Sequence, residues 1–296
     1  MGDRSAIGLL GARSLVGECM ISLLVHEGRD VIAFSRSPAQ RKTEARVSWL
    51  QLDESPSPLA PLPHRERGIA HWLCVAPIWV LPQYFSLLES YGARRVVVLS
   101  STSRFTKDDS SDPEEQAIAL RLADAEARVQ AWAASHGVEW IILRPTLIYG
   151  LGRDKNIAEI ARFVRRFGFF PLLGKANGLR QPLHAQDVAG ACIAALGSPA
   201  AVNRAYNLSG FDSITYRDMV ARIFSALGRP VRLVPVPLFA FRFAVAILRL
   251  LPRYRNWSSA MAERMNRDLV FDHGEATRDF GFEPRPFVLS AEDVGG

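Results

Sequence analysis

The segment with the clearest chemical potential is a glycine-containing turn near residue 11. Gly11 and Gly17 bracket it, Ser14 lies midway, an apolar run precedes it and an apolar helical pattern follows. At such a turn the backbone can approach a dinucleotide pyrophosphate closely, and the amides of the following helix point at the anion. The segment therefore predicts a dinucleotide site, the alternative being a structural turn without a ligand. The predicted contacts are Gly11, Ala12, Arg13, Ser14, Leu15, Val16 and Gly17.

The residues after the second apolar run indicate which dinucleotide would bind. NAD sites place an Asp or Glu there to hold the ribose hydroxyls, whereas a 2'-phosphate needs a cation. Here the run ends in Ser35 and Arg36, and the next acidic residue is Glu44. Arg36, with Arg13 from the turn, can hold a phosphate through its forked guanidinium. NADP is therefore the preferred cofactor and NAD the alternative. Asp53 is predicted to contact the adenine amino group or to cap a loop.

The elements that must position this turn alternate regularly through the first half of the chain. Apolar, β-branched runs predict strands, and segments with helical periodicity separate them. Strict alternation of this kind gives parallel strands with crossover helices, so the fold class is α/β, a doubly wound parallel Rossmann sheet. The predicted strands are 6–10, 31–35, 47–52, 70–75, 95–100 and 140–143, and the predicted helices are 15–27, 81–91 and 113–136.

The pattern changes after residue 150, where helical segments dominate. This change predicts a second, smaller and mostly helical domain in the C-terminal half, after a dinucleotide-binding domain of residues 1–150. The predicted helices of this half are 156–167, 185–196, 216–227, 238–251 and 258–266, and the short extended pieces are 205–208 and 231–236.

Composition excludes several function classes. The 296 residues are 48% hydrophobic and carry a formal net charge of +6, which suits a globular chain and not a disordered one. Three cysteines form neither a CxxC pair nor an even disulfide framework, so a reducing cytoplasm is predicted and no metal site is. The basic residues are interleaved with acidic ones, without a basic stripe that carries stacking aromatics. Nucleic acid is therefore not a predicted partner, and a phosphorylated small molecule is.

Three further motifs, with the glycine turn, carry a family resemblance. They are the run 97–101 that ends in Ser100 and Ser101, the run 143–150 that contains Arg144 and Pro145, and the run 180–189. Together they resemble the extended branch of the short-chain dehydrogenase/reductase superfamily, the nucleotide-sugar epimerases and dehydratases, over nearly the whole chain. The resemblance implies that Ser101 hydrogen-bonds the reacting oxygen and that Pro145 lies beside the nicotinamide. It also implies that Arg180 approaches the diphosphate of the substrate. The resemblance further implies that the helix near Asp187 returns to the dinucleotide-binding domain, so that 184–210 belong to that domain and the substrate domain consists of 151–183 and 211–296.

One family motif is missing. Its members carry Tyr-x-x-x-Lys on the helix after the serine strand, where the lysine and the cofactor lower the pKa of the tyrosine so that it can exchange a proton. Aligning the segment 113–126 on Glu126 puts Ile118 and Leu122 at those two positions, and neither Tyr nor Lys occurs between Asp108 and Val129. Loss of such a proton partner costs about 10²- to 10⁴-fold in rate. The chain is therefore an atypical member.

Other groups can be weighed as substitute acids or bases. Tyr149, His184, Lys107 and Asp124 lie in segments expected near the cleft. Tyr149 has a structural role as its alternative, His184 packing between the domains, and Asp124 a solvated helix face. Without its tyrosine partner, Ser101 has the alternative of only hydrogen-bonding a ligand.

The C-terminal half supplies candidate substrate contacts and a candidate membrane surface. Arg264 and Arg267 lie where the extended family often places a substrate-phosphate arginine, which with Arg180 would suit a diphosphate; the alternative is an exposed helix face. The segment 238–253 is apolar apart from a narrow arginine stripe, so it either packs on the substrate domain or lies in an anionic membrane interface. An aromatic run would extend that surface and suit a lipid-linked sugar: Phe163, Phe167, Phe169 and Phe170, beside Arg162, Arg165 and Arg166.

Two functional hypotheses follow. In the first, the protein is an NAD(P)-dependent epimerase, dehydratase or reductase that acts on a nucleotide-sugar or related diphosphate-linked sugar through a non-standard proton relay. In the second, it is a non-catalytic NADP-binding accessory or regulatory protein that docks on a partner or on the inner face of the membrane. Bound dinucleotide alone stabilises a fold by about 2.7 kcal/mol at a hundredfold excess over its dissociation constant.

Overall fold

The computed structural model describes residues 6–36, 46–52, 68–108, 110, 112–237 and 260–295. Within them lies a sheet of seven strands, six from the first half of the chain and one from the second, in the order β3-β2-β1-β4-β5-β6-β11, with every neighbouring pair parallel. This arrangement confirms the doubly wound α/β prediction. The strands are β1 (Ile7–Leu10), β2 (Val31–Ser35), β3 (Val47–Gln51), β4 (His71–Cys74), β5 (Arg95–Leu99), β6 (Glu139–Pro145) and β11 (Arg204–Leu208).

The inner strands are buried on both faces because helices cover both. On β5, Val97 points into one hydrophobic cluster, which holds the helices α1 (Leu15–His26) and α6 (Ala185–Gly197). Val96 and Val98 point into the opposite cluster, which holds α4 (Pro113–His136). Successive side chains of a strand point to opposite faces, so near-continuous apolar runs are what a covered parallel sheet requires.

Residues that follow β6 in the chain, apart from α6 and β11, build a further hydrophobic cluster away from the sheet. We call it the second hydrophobic cluster. It is formed by α5 (Ile157–Phe167), α7 (Tyr216–Ala226) and the parallel pair β8 (Phe170–Leu173) and β13 (Leu233–Val236). Two pairs of two-residue strands support it: β7 (Ile148–Tyr149) pairs with β10 (Leu183–His184), and β9 (Leu179–Arg180) pairs with β12 (Ile214–Thr215). The helices α8 (Ala260–Asn266) and α9 (Gly274–Phe280) complete the described C-terminal part.

Two predicted elements differ from the structure or lie outside it. The segment predicted as one helix over 81–91 is a 3₁₀ helix at Ile78–Tyr84 followed by the α-helix α2 at Phe85–Ser90, with a four-residue helix, α3 (Ser103–Thr106), further on. Pro82 lies inside the first of these pieces and has no backbone N–H for a helical hydrogen bond, which accounts for the break. The predicted helix over 238–251 lies outside the described residues.

Candidate functional site

The glycine turn joins β1 to α1 at the carboxyl edge of the sheet. Gly11 adopts a φ of +86°, in the left-handed region, and its carbonyl accepts a hydrogen bond from the Ser14 amide at 2.9 Å. Ser14 is the N-cap of α1, and its Oγ accepts from the amide of Gly17 at 3.0 Å. The amides of Leu15 and Val16 lie in the first turn, where an α-helix provides no acceptor. They are the groups that can bind an anion.

The turn is packed too closely for larger residues. A Cβ built on Gly17 would lie 2.4 Å from the carbonyl oxygen of Gly11, and one built on Gly11 would lie 2.4 Å from the amide nitrogen of Ala76. The turn follows β1, which has β2 on one side and β4 on the other. The strand order reverses at this point, and doubly wound sheets bind their ligands at such a switch point. The residues present therefore fit the pyrophosphate of a dinucleotide.

The second predicted cofactor contact sits at the end of β2. Ser35 is buried as the last residue of that strand, and Arg36 follows it with an exposed side chain. Arg13 is also exposed, on the glycine turn. Parallel strands present their carboxyl ends at one edge, so both arginines lie on the side of the sheet where the turn opens. Asp53 lies outside the described residues.

Ser101 and its neighbour Ser100 end the fifth strand with different partners. Ser101 is half-buried, and its Oγ accepts a hydrogen bond from the Ser103 amide at 3.1 Å. Ser100 points inward and donates to Oε1 of Glu126 at 2.6 Å. Ser101 is thus the serine of the pair that lines the cavity described below.

Glu126 is the centre of a buried ionic network beneath that serine pair. Its side chain has no exposed surface, and Arg144 binds both of its oxygens, Nε to Oε1 at 3.0 Å and Nη2 to Oε2 at 2.6 Å. Arg104 adds a further ion pair. Burial raises the pKa of Glu126, but the hydrogen bonds from Arg144 and Ser100 outweigh it and leave that pKa lowered. The carboxylate therefore ties α4 to the ends of β5 and β6, next to Pro145.

Apolar packing occupies the two helix positions where the family's Tyr and Lys would stand. Leu122 is 3% exposed within the cluster that covers the sheet, and Ile118 packs against the same cluster. Asp124 lies on the outer face of α4, 70% exposed and 4.0 Å from Arg128. Asp124 therefore has the position of a solvated helix residue.

A cavity of about 740 Å³ opens between the carboxyl ends of β5 and β6 and the second hydrophobic cluster. Ser101 and Lys107 line it, as do Thr146 and Gln181 from the segments after β6 and β9. Glu115, at the start of α4, is 7% exposed at its wall. Volumes of 300 to 1,000 Å³ are usual for small-molecule sites.

Glu115 gathers the polar groups of that wall. It accepts a hydrogen bond from Ser110 Oγ at 2.8 Å and lies 3.7 Å from Lys107 Nζ. Arg264 of α8 forms an ion pair with the same carboxylate. A carboxylate, an ammonium and a guanidinium thus share one wall with Ser101, and of the substitute groups considered above Lys107 is the one that lines this cavity.

Arg180 lines the cavity but is held by backbone carbonyls. Its Nη1 donates to the oxygens of Leu179 at 2.7 Å and Arg267 at 2.8 Å, and its Nη2 donates to the oxygen of Arg264. Burial lowers the pKa of Arg180 to about 10. This arginine therefore fixes α8 against β9, while Arg267 reaches the carbonyl of Thr106 across the cavity at 3.5 Å.

Tyr149 and His184 lie apart from the cavity lining. Tyr149 is 1% exposed in the second cluster, its ring 5.1 Å from His184 and 5.0 Å from Phe287, and burial raises its pKa. His184 accepts a hydrogen bond from the amide of Gln186 at Nδ1, which leaves Nε2 to donate to Asp293 at 3.1 Å. Both side chains thus have packing and hydrogen-bonding roles in this structure.

The sequence analysis did not predict the ionic roles of Glu115 and Glu126. Of the two, only Glu126 has a sequence context that could have indicated its role. Glu126 falls on the stripe of α4 formed by Leu122, Ala125 and Val129, all buried, and a carboxylate on an apolar stripe indicates a buried partner. Glu115 sits in an acidic first turn, where Glu is common simply because it complements the helix dipole.

Two absences hold for the described residues. No group of His, Cys, Asp and Glu side chains there has the arrangement to hold a metal ion. None of the described helices combines the length and the apolarity that crossing a bilayer demands.

The fold and the site define a Rossmann-type protein with a cavity beside the serine that follows its fifth strand. Residues 83–209 match the model of the NAD dependent epimerase/dehydratase family. The family resemblance predicted from the motifs is confirmed by this match. The structure is also similar to a UDP-glucose 4-epimerase with UDP-glucose from Thermotoga maritima, with a TM-score of 0.70, 15% identity, and coverage of 98% of this chain and 96% of the other.

Two curated relatives point in different directions. A UDP-glucose 4-epimerase of Vibrio cholerae is 23% identical over 180 residues, 61% of this chain and 52% of that protein. Subunit 9 of the NADH dehydrogenase [ubiquinone] 1 alpha subcomplex of Arabidopsis thaliana is 28% identical over 118 residues, 40% of this chain and 29% of that protein. The chain thus spans about half the length of the first relative and under a third of the second.

Proposed function

We propose that the protein binds a nicotinamide dinucleotide at the glycine turn and acts on a nucleotide-sugar or a related diphosphate-linked sugar in the adjoining cavity. The observation that carries this proposal is the cavity of about 740 Å³ whose wall includes Ser101. Residues 1–150 with 184–210 would hold the cofactor, and 151–183 with 211–296 would hold the substrate. Epimerases, dehydratases and reductases would all need this pairing of a dinucleotide site with an adjoining substrate cavity.

When bound, the nicotinamide ring would accept or supply a hydride. The chain's own residues would do the rest: Ser101 would hydrogen-bond the reacting oxygen, and Pro145 would lie beside the nicotinamide ring. Lys107, 3.7 Å from Glu115, is our candidate for the non-standard proton relay, because of the groups weighed as substitute acids or bases it is the one that lines the cavity with Ser101. Arg264 of α8 and Arg267, which directly follows that helix, would bind the substrate phosphates, and Arg180 would hold the helix in place.

A second function has its own support. Leu122 is buried where the family's lysine would stand, and one relative is a subunit of an NADH dehydrogenase. In this alternative the protein binds dinucleotide without turnover, as an accessory or regulatory protein. We propose a cytoplasmic location in either case, since Cys19, Cys74 and Cys192 are buried and free.

Ser101→Ala separates the two functions. With NAD(H) or NADP(H) and a panel of nucleotide-sugars, we expect the wild-type protein to turn over one substrate and the variant to be about 10- to 100-fold slower, the effect of one lost hydrogen bond in the transition state. Absorbance at the nicotinamide band and product stereochemistry measure this. Tight dinucleotide binding with no turnover by the wild type would favour the accessory function.

Arg36→Glu tests the cofactor preference. If Arg36 binds the 2'-phosphate, its reversal should weaken NADP by about tenfold or more, through one lost charge-assisted contact and one new repulsion, and should leave NAD nearly unchanged. Calorimetric titration of both dinucleotides into both proteins measures this. Arg46→Glu is the matched control, because Arg46 is an exposed arginine that pairs with Asp30 at 3.2 Å. Equal weakening of NAD and NADP would contradict the preference.

A further inference from the structure

The cavity beside Ser101 has two chemically different walls. Its polar wall comes from the segment between β5 and α4 and from α8, with Lys107, Glu115 and Arg264 in contact. The opposite side, the apolar wall, comes from the second hydrophobic cluster. The apolar wall consists of Leu147, Ile160, Phe163, Phe170 and Met219. A ligand that fills this cavity therefore meets both charged groups and hydrocarbon.

The apolar wall continues to the protein surface through ring contacts. Phe163 is half-buried, and its ring centroid lies 5.5 Å from that of Phe170 inside the cavity. On its other side Phe163 lies 4.6 Å from Phe167 and 6.0 Å from Phe169. Phe167 is 51% exposed and Phe169 38% exposed, and together they form what we name the aromatic rim. An unbroken aromatic path thus joins the cavity to solvent.

Exposed aromatic rings next to a cavity need an explanation, because removing a Phe side chain from water is favourable. A ligand contained in the cavity would leave the aromatic rim wet. A ligand with a hydrocarbon chain longer than the cavity would cover it. Apolar surface of this kind marks ligand grooves and membrane contacts.

The charges that line the cavity favour an anionic head group. At the aromatic rim, by contrast, Arg166 holds its guanidinium 5.3 Å from the Phe167 ring, and the exposed Arg162 lies 3.8 Å from Glu159. Inside, the cationic side chains of the lining outnumber the acidic ones: Lys107, Lys155, Arg180, Arg264 and Arg267 against Glu115, Glu159 and Glu263. An anion between these walls would be neutralised there.

We infer that the ligand of this cavity is amphipathic, with a phosphorylated head group against the polar wall and a hydrocarbon chain that follows the apolar wall to the aromatic rim. This inference rests on the proposed function, because it names the substrate class of the same cavity. It makes the cavity a site for a lipid-linked phosphate, in which the group beside Ser101 reacts and the chain remains at Phe167 and Phe169.

Alkyl phosphates of two lengths test the inference on the full chain. Dodecyl phosphate, kept below its critical micelle concentration, should bind at least about a hundredfold more tightly than butyl phosphate, since each buried methylene contributes about 0.8 kcal/mol and only part of the chain is covered. The double variant Phe167→Ala/Phe169→Ala should lose about tenfold of that preference, as two exposed rings no longer cover the chain. Both rings lie largely at the surface, so the variant should fold, and circular dichroism checks that it does.

Phe211→Ala is the matched control, because Phe211 is 64% exposed and is not among the described residues that line the cavity. It should bind both alkyl phosphates as the wild type does. Equal binding of the two alkyl phosphates by the wild type, or equal losses in the double variant and in Phe211→Ala, would overturn the inference. Dodecyl maltoside binding as tightly as dodecyl phosphate would overturn the anionic head group.

Two further measurements distinguish a membrane lipid from a free amphiphile, and failure of this inference from failure of the proposed function. Sedimentation with phosphatidylglycerol vesicles, reduced in the double variant, would support extraction from a membrane, whereas chain-length preference without vesicle binding would support a free amphiphile. NADH titration of the same samples is read separately. Absent NADH binding with intact chain-length preference would remove the proposed function and leave the amphipathic site standing.

Discussion

Gly17→Ala should abolish most dinucleotide binding while leaving a folded protein. The added Cβ would lie 2.4 Å from the carbonyl oxygen of Gly11 and 2.9 Å from Ala12 backbone atoms, so the turn and the helix must move apart. Overpacking of this kind costs about 1 to 3 kcal/mol of folding free energy. Displacing two amides from the phosphates, at about 1.5 kcal/mol each, weakens binding by about a hundredfold.

The control for this variant is Gly190→Ala, because Gly190 lies inside α6 and its Cβ would meet nothing within 4 Å. A helical Gly replaced by Ala stabilises by about 0.5 to 1 kcal/mol, so the two substitutions should change the free energy of unfolding in opposite directions. Urea unfolding and calorimetric titration with NAD and NADP measure both effects. Wild-type dinucleotide affinity in Gly17→Ala would mean that no pyrophosphate binds at this turn.

The sheet could be predicted because its signals are local. Strands such as β1 and β2 are buried along their whole length. A parallel strand that is covered on both faces has an uninterrupted apolar sequence, which can be recognised without the structure. The glycine turn was predictable for the same reason, since the strand, the turn and the helix N-cap at Ser14 are contiguous. Neither inference depends on which segments, far apart in the chain, are in contact in the fold.

Several residues of the cavity wall were predicted, among them Ser101, Arg180 and Arg264, but the contacts between them were not, because these contacts join residues far apart in the chain. Glu115 pairs with Arg264, 149 positions away in the chain, and Arg180 binds the carbonyl of Arg267, 87 positions away. No spacing rule links such residues. The same holds for Tyr149, which stands in a run shared with Pro145 but points into the second cluster, against Phe287. In a short strand, the side to which a side chain points decides whether the residue reaches the cavity or the second hydrophobic cluster.

Glu126→Gln should be the most destabilising single change of an ionisable group in the part of the chain described. The carboxylate has no exposed surface and is bound by Arg144 and Arg104. Removing one partner of a buried ion pair leaves the other charges uncompensated and costs about 3 to 5 kcal/mol. Glu139→Gln is the control: Glu139 pairs with Arg95 at 2.6 Å, but its side chain is 44% exposed, so the expected loss is below about 1 kcal/mol.

The pH dependence of Glu126→Gln gives an independent check. Because burial is outweighed by the hydrogen bonds from Arg144 and Ser100, the pKa of Glu126 is lower in the folded protein than in the unfolded chain. A lowered folded pKa stabilises above the unfolded value, about 4.3, and that stabilisation is lost as the pH falls towards the folded value. Wild-type stability should therefore fall more steeply below about pH 4 than that of Glu126→Gln, so the two unfolding curves converge in acid. A constant difference between them from pH 7 to pH 3 would show that the loss comes from packing alone, and the Ser101 segment would then have to be held by something other than this charge.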